Sequence, residues 1–367
     1  MSSLFSPVTI GHVSLNNRIV IAPMCQFSAT EGRATDWHMM HLGSLAMSGA
    51  GLLIIESTAV TAQGRITHAD LGLWNQPQET ALGNIVRAIR RYSKMPLGIQ
   101  LSHAGRKAAS PAPSDGVEVL FPNDPRGWPV VAPSPLAFVQ GAIAPHALSG
   151  EEIDDIVLSF AAAARRAADI GINVIELHAA HGFLMHEFLS PVSNQRTDAY
   201  GGSLENRMRL TLRIFDAVKR AVKDDMAVGI RISATDWIDG GWDLSQSILL
   251  SQALAAKGCA YVHVSGGGLD PVRQALPPLV PGYQLPYAAA IKKAIDIPVI
   301  GVGLITRPQQ AETALQENNA DLIALGRAML YDPRWPWHAA DELGGGVNVP
   351  VQLAEGLPHG FKGSRLK

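Results

Sequence analysis

The stretch EEIDDIVLSFAAAARRAADIGINVIELH, from Glu151 to His178, holds the architecture in miniature. Ile153, Ile156, Val157 and Phe160 fall on one face of a 3.6-residue period, and Ser149 stands as an N-cap with Glu152 three residues on. Residues 151–169 are therefore predicted as an amphipathic helix, which Gly171 stops. A short strand follows at 174–177 and ends on His178, the first chemically useful side chain it delivers.

Outward from this unit the same alternation repeats. Strands are predicted at 19–22, 52–55, 97–101, 174–177, 227–232, 261–264, 298–302 and 321–325. Most are near-continuous apolar runs without polar alternation, as expected of parallel strands covered on both faces. Further helices are predicted at 204–222, 246–257, 284–294 and 308–317, the last with Pro308 at its N-terminus. Eight such strands give the count of a single (β/α)8 barrel over 1–343, a TIM barrel. The competing doubly wound sheet is disfavoured because the first βα turn, Pro23-Met24-Cys25-Gln26, lacks the Gly-x-Gly-x-x-Gly of a dinucleotide-binding sheet.

One region breaks the rhythm. Residues 103–148 carry eight prolines and no helical period. Inserted after the third strand, they fall on the C-terminal face of the barrel, where active sites lie, and read as a lid or pocket wall. Residues 344–367 form a Gly-containing tail without a strong period.

Composition narrows the function. With 367 residues and 47% apolar content the chain can bury a large core, and 30 basic against 32 acidic residues give a net charge of −2, no footprint for nucleic acid. Two cysteines, Cys25 and Cys259, exclude a disulfide scaffold, a four-cysteine zinc site and a cysteine-ligated iron–sulfur cluster. No signal peptide or membrane-length apolar run is apparent, so a cytoplasmic, unanchored protein is expected.

Reactive residues of a barrel come from strand ends. Here those ends carry Pro23, Met24 and Cys25; Ala59; Gln100 and His103; His178 with His181; Arg231; Val302 with Gly303; and Gly326 with Arg327. Glycines at the last two strand ends would let backbone N–H groups approach a phosphate, with Arg327 completing the cradle, although such glycines also serve simple turns. His178 and His181 lack a third ligand, and Glu176 is expected at a different level, so no metal is expected. Two neutral imidazoles at one mouth instead suit an oxygen that gains negative charge.

These residues sit in longer motifs: APMC at 22–25, GIQLSHAGRK at 98–107, HAAHGF at 178–183 and SPVSNQRTDAYGGSLENR at 190–207. They resemble the Old Yellow Enzyme family of FMN-dependent ene-reductases, and most of all its bacterial, thermophilic-like class, from Leu4 to about Leu343. The resemblance implies that Pro23, Met24, Cys25, Ala59, Gln100 and Arg231 line the flavin of FMN, and that Val302, Gly303, Gly326 and Arg327 hold its phosphate. It also implies that His178 and His181 bind the substrate carbonyl, that NADPH or NADH is a transient reductant, and that the chain forms a dimer or tetramer. An electron-poor alkene would be the oxidant.

Two departures stand out. Where the family usually has tyrosines this chain has Phe183, in place of the proton donor, and Phe27. Neither can donate a proton. The tail also lacks the family's aromatic-flanked arginine finger, for which Phe361 and Arg365 are poor substitutes. Phe183 therefore keeps open a same-fold reductase of nitro or quinone-type substrates, or a desaturating oxidase. A phosphate-ligand binding protein with a dead site is the remaining alternative.

Overall fold

The computed structural model describes residues 2–121, 123–271, 276–357, 361, 364 and 365. Eight parallel strands close into a barrel. In chain order they are β1 (Ile19–Ile21), β2 (Leu52–Ala59), β3 (Leu97–Ser102), β4 (Val174–Ala179), β5 (Ala227–Ser233), β6 (Val262–Ser265), β7 (Val299–Val302) and β8 (Leu322–Leu325). Each pairs with its chain neighbour and β8 pairs with β1, so the strand order is the simple one of a (β/α)8 barrel.

Helices follow the strands in turn: α1 (Asp36–Ala46), α2 (Gln76–Arg90), α3 (Gly150–Asp169), α4 (Leu204–Ala221), α5 (Leu244–Ala256), α6 (Leu285–Lys292), α7 (Pro308–Gln316) and α8 (Trp335–Leu343). The Ser149 cap of α3 forms as expected, its side chain accepting from the Glu152 N–H. Sequence reasoning did not place α1 and α2. Trp37 and Met40 lie exposed on α1, so its apolar residues do not fall on one face. The start of α2 was legible, since Asn75 and Gln78 make a reciprocal capping box.

The core has two layers. Inside the barrel, Val20, Leu52, Ile54, Val174, Ala227, Tyr261, Ile300 and Leu322 pack together. Ile10 and Leu15 join them from an N-terminal hairpin, Val8–Ile10 with Val13–Leu15, which plugs the bottom. Between strands and helices lies the larger layer, including Ile153, Phe160, Ile214, Phe215 and Leu250. With the bottom filled, chemistry is confined to the top.

Among the described residues, the proline-rich segment after β3 carries two single-turn 3-10 helices, Gly105–Lys107 and Pro113–Asp115, and the paired strands Val131–Ala132 and His146–Ala147. It is stapled to the loop after β4: Arg196 donates to the Pro133 and Leu148 carbonyls, and the Gln195 N–H to Ser134 Oγ. In the tail, Phe361 packs against the cluster of Ala340, Val347 and Val349 of its own chain. The backbone of Ser364–Arg365 pairs with Asn348–Val349, and the Arg365 side chain lies outside the described structure.

Candidate active site

Register brings the site together. His178 on β4 is level with Arg231 on β5, which is level with His263 on β6. Gln100 on β3 is level with Glu176 on β4, two residues deeper than His178 on the same face of the strand. Glu176 is thus the floor beneath the histidines, a role the sequence reading did not give it. Its Oε1 accepts from Gln100 Nε2 at 2.8 Å and its Oε2 meets His263 Nδ1 at 2.9 Å and the Tyr261 hydroxyl at 3.3 Å. Burial pushes the Glu176 carboxyl up, but His263, Arg231 and the Gln100 bond outweigh it and hold the acid below its usual range. The floor is a carboxylate.

Arg231 is buried, and burial pulls its guanidinium below the usual range while Glu176 opposes the shift. Its Nε–H has no partner among the described residues. A buried donor left unpaired costs about 1–3 kcal/mol, so this atom calls for an acceptor from outside the protein.

His178 and His181 stand edge to face with ring centroids 5.2 Å apart. Burial first, then the charges of Arg231 and Lys107 among others, drives both well below the ordinary histidine range, so both are neutral. His181 takes a left-handed φ of 58° and is held there by its N–H to Ser233 Oγ at 3.0 Å and its Nε2 against Ser265 Oγ at 2.7 Å. Phe183 packs its ring 4.4 Å from that of His178. Lys107, from the proline-rich segment, donates to the His181 and Gly268 carbonyls and lies 5.9 Å from the Phe183 ring and 4.7 Å from that of Phe138. That segment therefore reaches the mouth itself.

At the end of β1, Gln26 donates its backbone N–H to Glu56 Oε2 at 2.9 Å and its side-chain amide to the Met24 carbonyl, fixing the turn through Pro23, Met24 and Cys25. The Cys25 thiol is raised well above its usual range by burial, with Asp70 and Glu56 adding to the effect. It is a thiol, not a thiolate nucleophile. Phe27 adopts a left-handed φ of 50° just beyond. Ala59 closes β2, bonded on both sides to Leu71 and Leu73.

The corner after β7 and β8 is different in kind. Gly303 has a φ of 137°, open to glycine alone, and Gly326 stands at the N-cap of the short helix Arg327–Tyr331. Arg327 is exposed and makes no hydrogen bond or ion pair with the described residues. Val302 gives its carbonyl to Gln284. An unpaired guanidinium beside open backbone suits a phosphate, and an unpaired buried Arg231 donor suits the electron-rich edge of a ring system. The residues present fit FMN. Among the described residues no group of three His, Cys, Asp or Glu side chains could hold a metal, and no helix is long and apolar enough to cross a membrane.

Such a mouth, on such a barrel, defines a flavin-dependent oxidoreductase. The family model described as NADH:flavin oxidoreductase / NADH oxidase matches residues 3–344. An NADPH dehydrogenase of Listeria innocua is 42% identical, the match spanning 96% of this chain and 99% of that one. Among solved structures, morphinone reductase superposes with a TM-score of 0.76 at 27% identity, covering 94% of this chain and 91% of that one. An old yellow enzyme homologue from Zymomonas mobilis does so with 0.76 at 26%, covering 92% of each. The chain belongs to the Old Yellow Enzyme family and is an NAD(P)H-dependent, FMN-containing oxidoreductase.

Proposed function

We propose that this enzyme reduces an electron-poor C=C conjugated to a carbonyl or nitro group, with both substrates visiting one site in turn. When bound, FMN supplies the hydride chemistry, accepting from NAD(P)H and giving to the oxidant. In this reading Pro23, Met24, Cys25, Ala59, Gln100 and Arg231 line the flavin, and Val302, Gly303, Gly326 and Arg327 hold its phosphate. The unpaired Arg231 Nε–H supplies a positive donor to an acceptor edge that gains electrons. Gln100, pinned to Glu176, has its amide orientation fixed before any ligand arrives.

The observation that carries the reading is the neutral His178–His181 pair at the mouth. Imidazole N–H groups aimed at a substrate oxygen withdraw electron density, so that the β-carbon of an enone accepts hydride. Neutrality matters because the pair then stabilises a developing charge without donating its proton outright. Phe27 and Phe183 add apolar walls, and the proline-rich segment, with Lys107 and Phe138 at the mouth, acts as the lid.

Phe183 favours a second reading for part of the substrate range. Its ring occupies the place beside His178 with no acidic hydrogen, so substrates that do not need a proton at the α-carbon, nitro compounds and quinones among them, suit this site. The test is anaerobic. NADPH should bleach the yellow enzyme, and cyclohexenone or a nitro-olefin should restore the colour with formation of the saturated product. If neither restores it while a quinone does, alkene reduction is rejected and the second reading stands.

A further inference from the structure

A chain of three side chains decides which nitrogen of His181 carries the proton. The Val302 carbonyl can only accept, so Gln284 must turn its Nε2 toward it, at 3.2 Å. Gly303 makes the approach possible, since a Cβ there would sit 3.0 Å from that nitrogen. The Gln284 Oε1 is then left facing Ser265, whose hydroxyl donates to it at 3.2 Å. With its one hydrogen committed, Ser265 Oγ accepts at 2.7 Å from His181 Nε2–H. A neutral imidazole has a single N–H, so His181 Nδ1 is a bare lone pair. His178 is set the other way, because its Nδ1 accepts the Ala180 N–H at 3.3 Å and its Nε2 must be the donor. His181 Nδ1 and His178 Nε2 have no partners among the described residues, and neither is sealed from solvent.

We propose that Ser265 and Gln284 are positioning residues that hold His181 in its Nε2–H tautomer, so that the resting pair presents one donor and one acceptor. This rests on the reading that the reductant's nicotinamide and the oxidant's oxygen both meet His178 and His181. A donor beside an acceptor fits a primary carboxamide, whose carbonyl accepts from His178 while its N–H donates to His181. That is the head group of NAD(P)H. A phenolate or enolate oxygen only accepts, and for it His181 must present Nδ1–H instead. Ser265 then has to swing its hydrogen from Gln284 to His181 Nε2. The two halves of the catalytic cycle thus demand opposite tautomers of one residue, and Gln284 biases the resting enzyme toward the reductant.

The variants make opposite-signed changes, which loosening of the pocket cannot produce. In Gln284→Leu the Ser265 hydroxyl loses its acceptor and donates to His181 Nε2, forcing Nδ1 to carry the proton. The FMN-loaded variant should bind para-hydroxybenzaldehyde, titrated by its long-wavelength band, about tenfold tighter, and non-reducing tetrahydroNADPH about tenfold weaker, one hydrogen bond in each direction. Ser265→Ala should shift each ligand in the direction it takes in Gln284→Leu, the aldehyde tighter and tetrahydroNADPH weaker, by less, and Ser265→Thr should restore wild-type binding. Weakening of both ligands together, or no change in either, overturns the proposal. If His181→Ala alters neither affinity, the underlying site reading fails first. Should Gln284→Leu not fold, ¹⁵N NMR of histidine-labelled wild-type holoenzyme decides: an unprotonated Nδ1 at His181 is expected, and a protonated one overturns the assignment.

Discussion

The two sides of the barrel mouth are built on opposite principles. Between β3 and β6, polar groups answer one another: Glu176 with Gln100, Tyr261 and His263, and His181 with Ser233 and Ser265. Between β7 and β8, Arg327 stands exposed with no partner among the described residues, beside glycines that offer backbone and no side chain. Preorganised dipoles are what a reacting oxygen needs, because they cost no rearrangement as charge develops. A phosphate dianion carries its own charge and needs only open donors to receive it. One side is largely paired before a ligand arrives, leaving the Arg231 Nε–H and the two imidazole edges for it, and the other is open until a ligand completes it.

The sharpest break in that comparison comes at the open side. Arg327→Ala should leave the fold intact and the purified protein largely colourless, because it removes the exposed guanidinium at the end of β8 that would receive the phosphate. Stoichiometric FMN in the variant, measured by absorbance after denaturation, would mean that the phosphate is held elsewhere.

On the preorganised side, Phe183→Tyr should add what the pair lacks. A positioned general acid contributes about 100-fold or more, so reoxidation of the reduced enzyme by simple enones should accelerate by about that factor in anaerobic stopped flow. Reduction by NADPH should hardly change. No gain with cyclohexenone, together with a wild-type solvent isotope effect and a titrating donor, would place the proton source in another residue.

An effect on stability rather than on rate tests how much burial costs this wall. Glu187 accepts the Arg106 N–H at Oε1, while its buried Oε2 has no partner among the described residues, and burial raises its acid to about 8. Between the ordinary carboxyl value near 4.5 and 8, the folded state keeps a proton that the unfolded chain loses. Wild-type stability therefore falls as pH rises through that window, by about 1.4 kcal/mol per unit from this group. Glu187→Gln removes that slope. Denaturation of both proteins at several pH values should show the variant gaining on wild type from acid toward pH 8 and level above it. A constant difference would mean Glu187 is ionised in the fold.

The smallest change is expected at Cys25. Because its thiol is raised rather than lowered, Cys25→Ser should remain active with FMN bound, its reduction potential moved and its substrate constants changed by no more than a few-fold. A folded, FMN-loaded and inactive Cys25→Ser protein would assign the sulfur a covalent step.

Much of this molecule is readable without coordinates, for reasons that differ from residue to residue. The eight strands are visible because barrel strands are covered on both faces and read as apolar runs, and α3 because its cap and stripe are local. His178, His181 and Arg231 are visible because they end those strands. Helix α1 is not, since an exposed Trp37 and Met40 blur its periodicity. Nor are Glu176, His263, Ser265 and Gln284 visible as site residues. Counting inward by twos from His178 would have found Glu176, but nothing in the sequence says that β6 brings His263 against it.

What the sequence alone determined is the alternation of strand and helix, the residues at each strand end, the family, and the absence of a phenol at Phe183. These follow from local periodicity and from motifs short enough to be contiguous. What only the tertiary structure decided is protonation and pairing: that Glu176 is ionised on the barrel floor, that Arg231 keeps an unpaired donor, and that Gln284 acts on His181 through Ser265. Those depend on interstrand register and on the exclusion of water, which arise only when residues such as Gln100 and Glu176, 76 positions apart, and His181 and Ser265, 84 apart, close into one barrel.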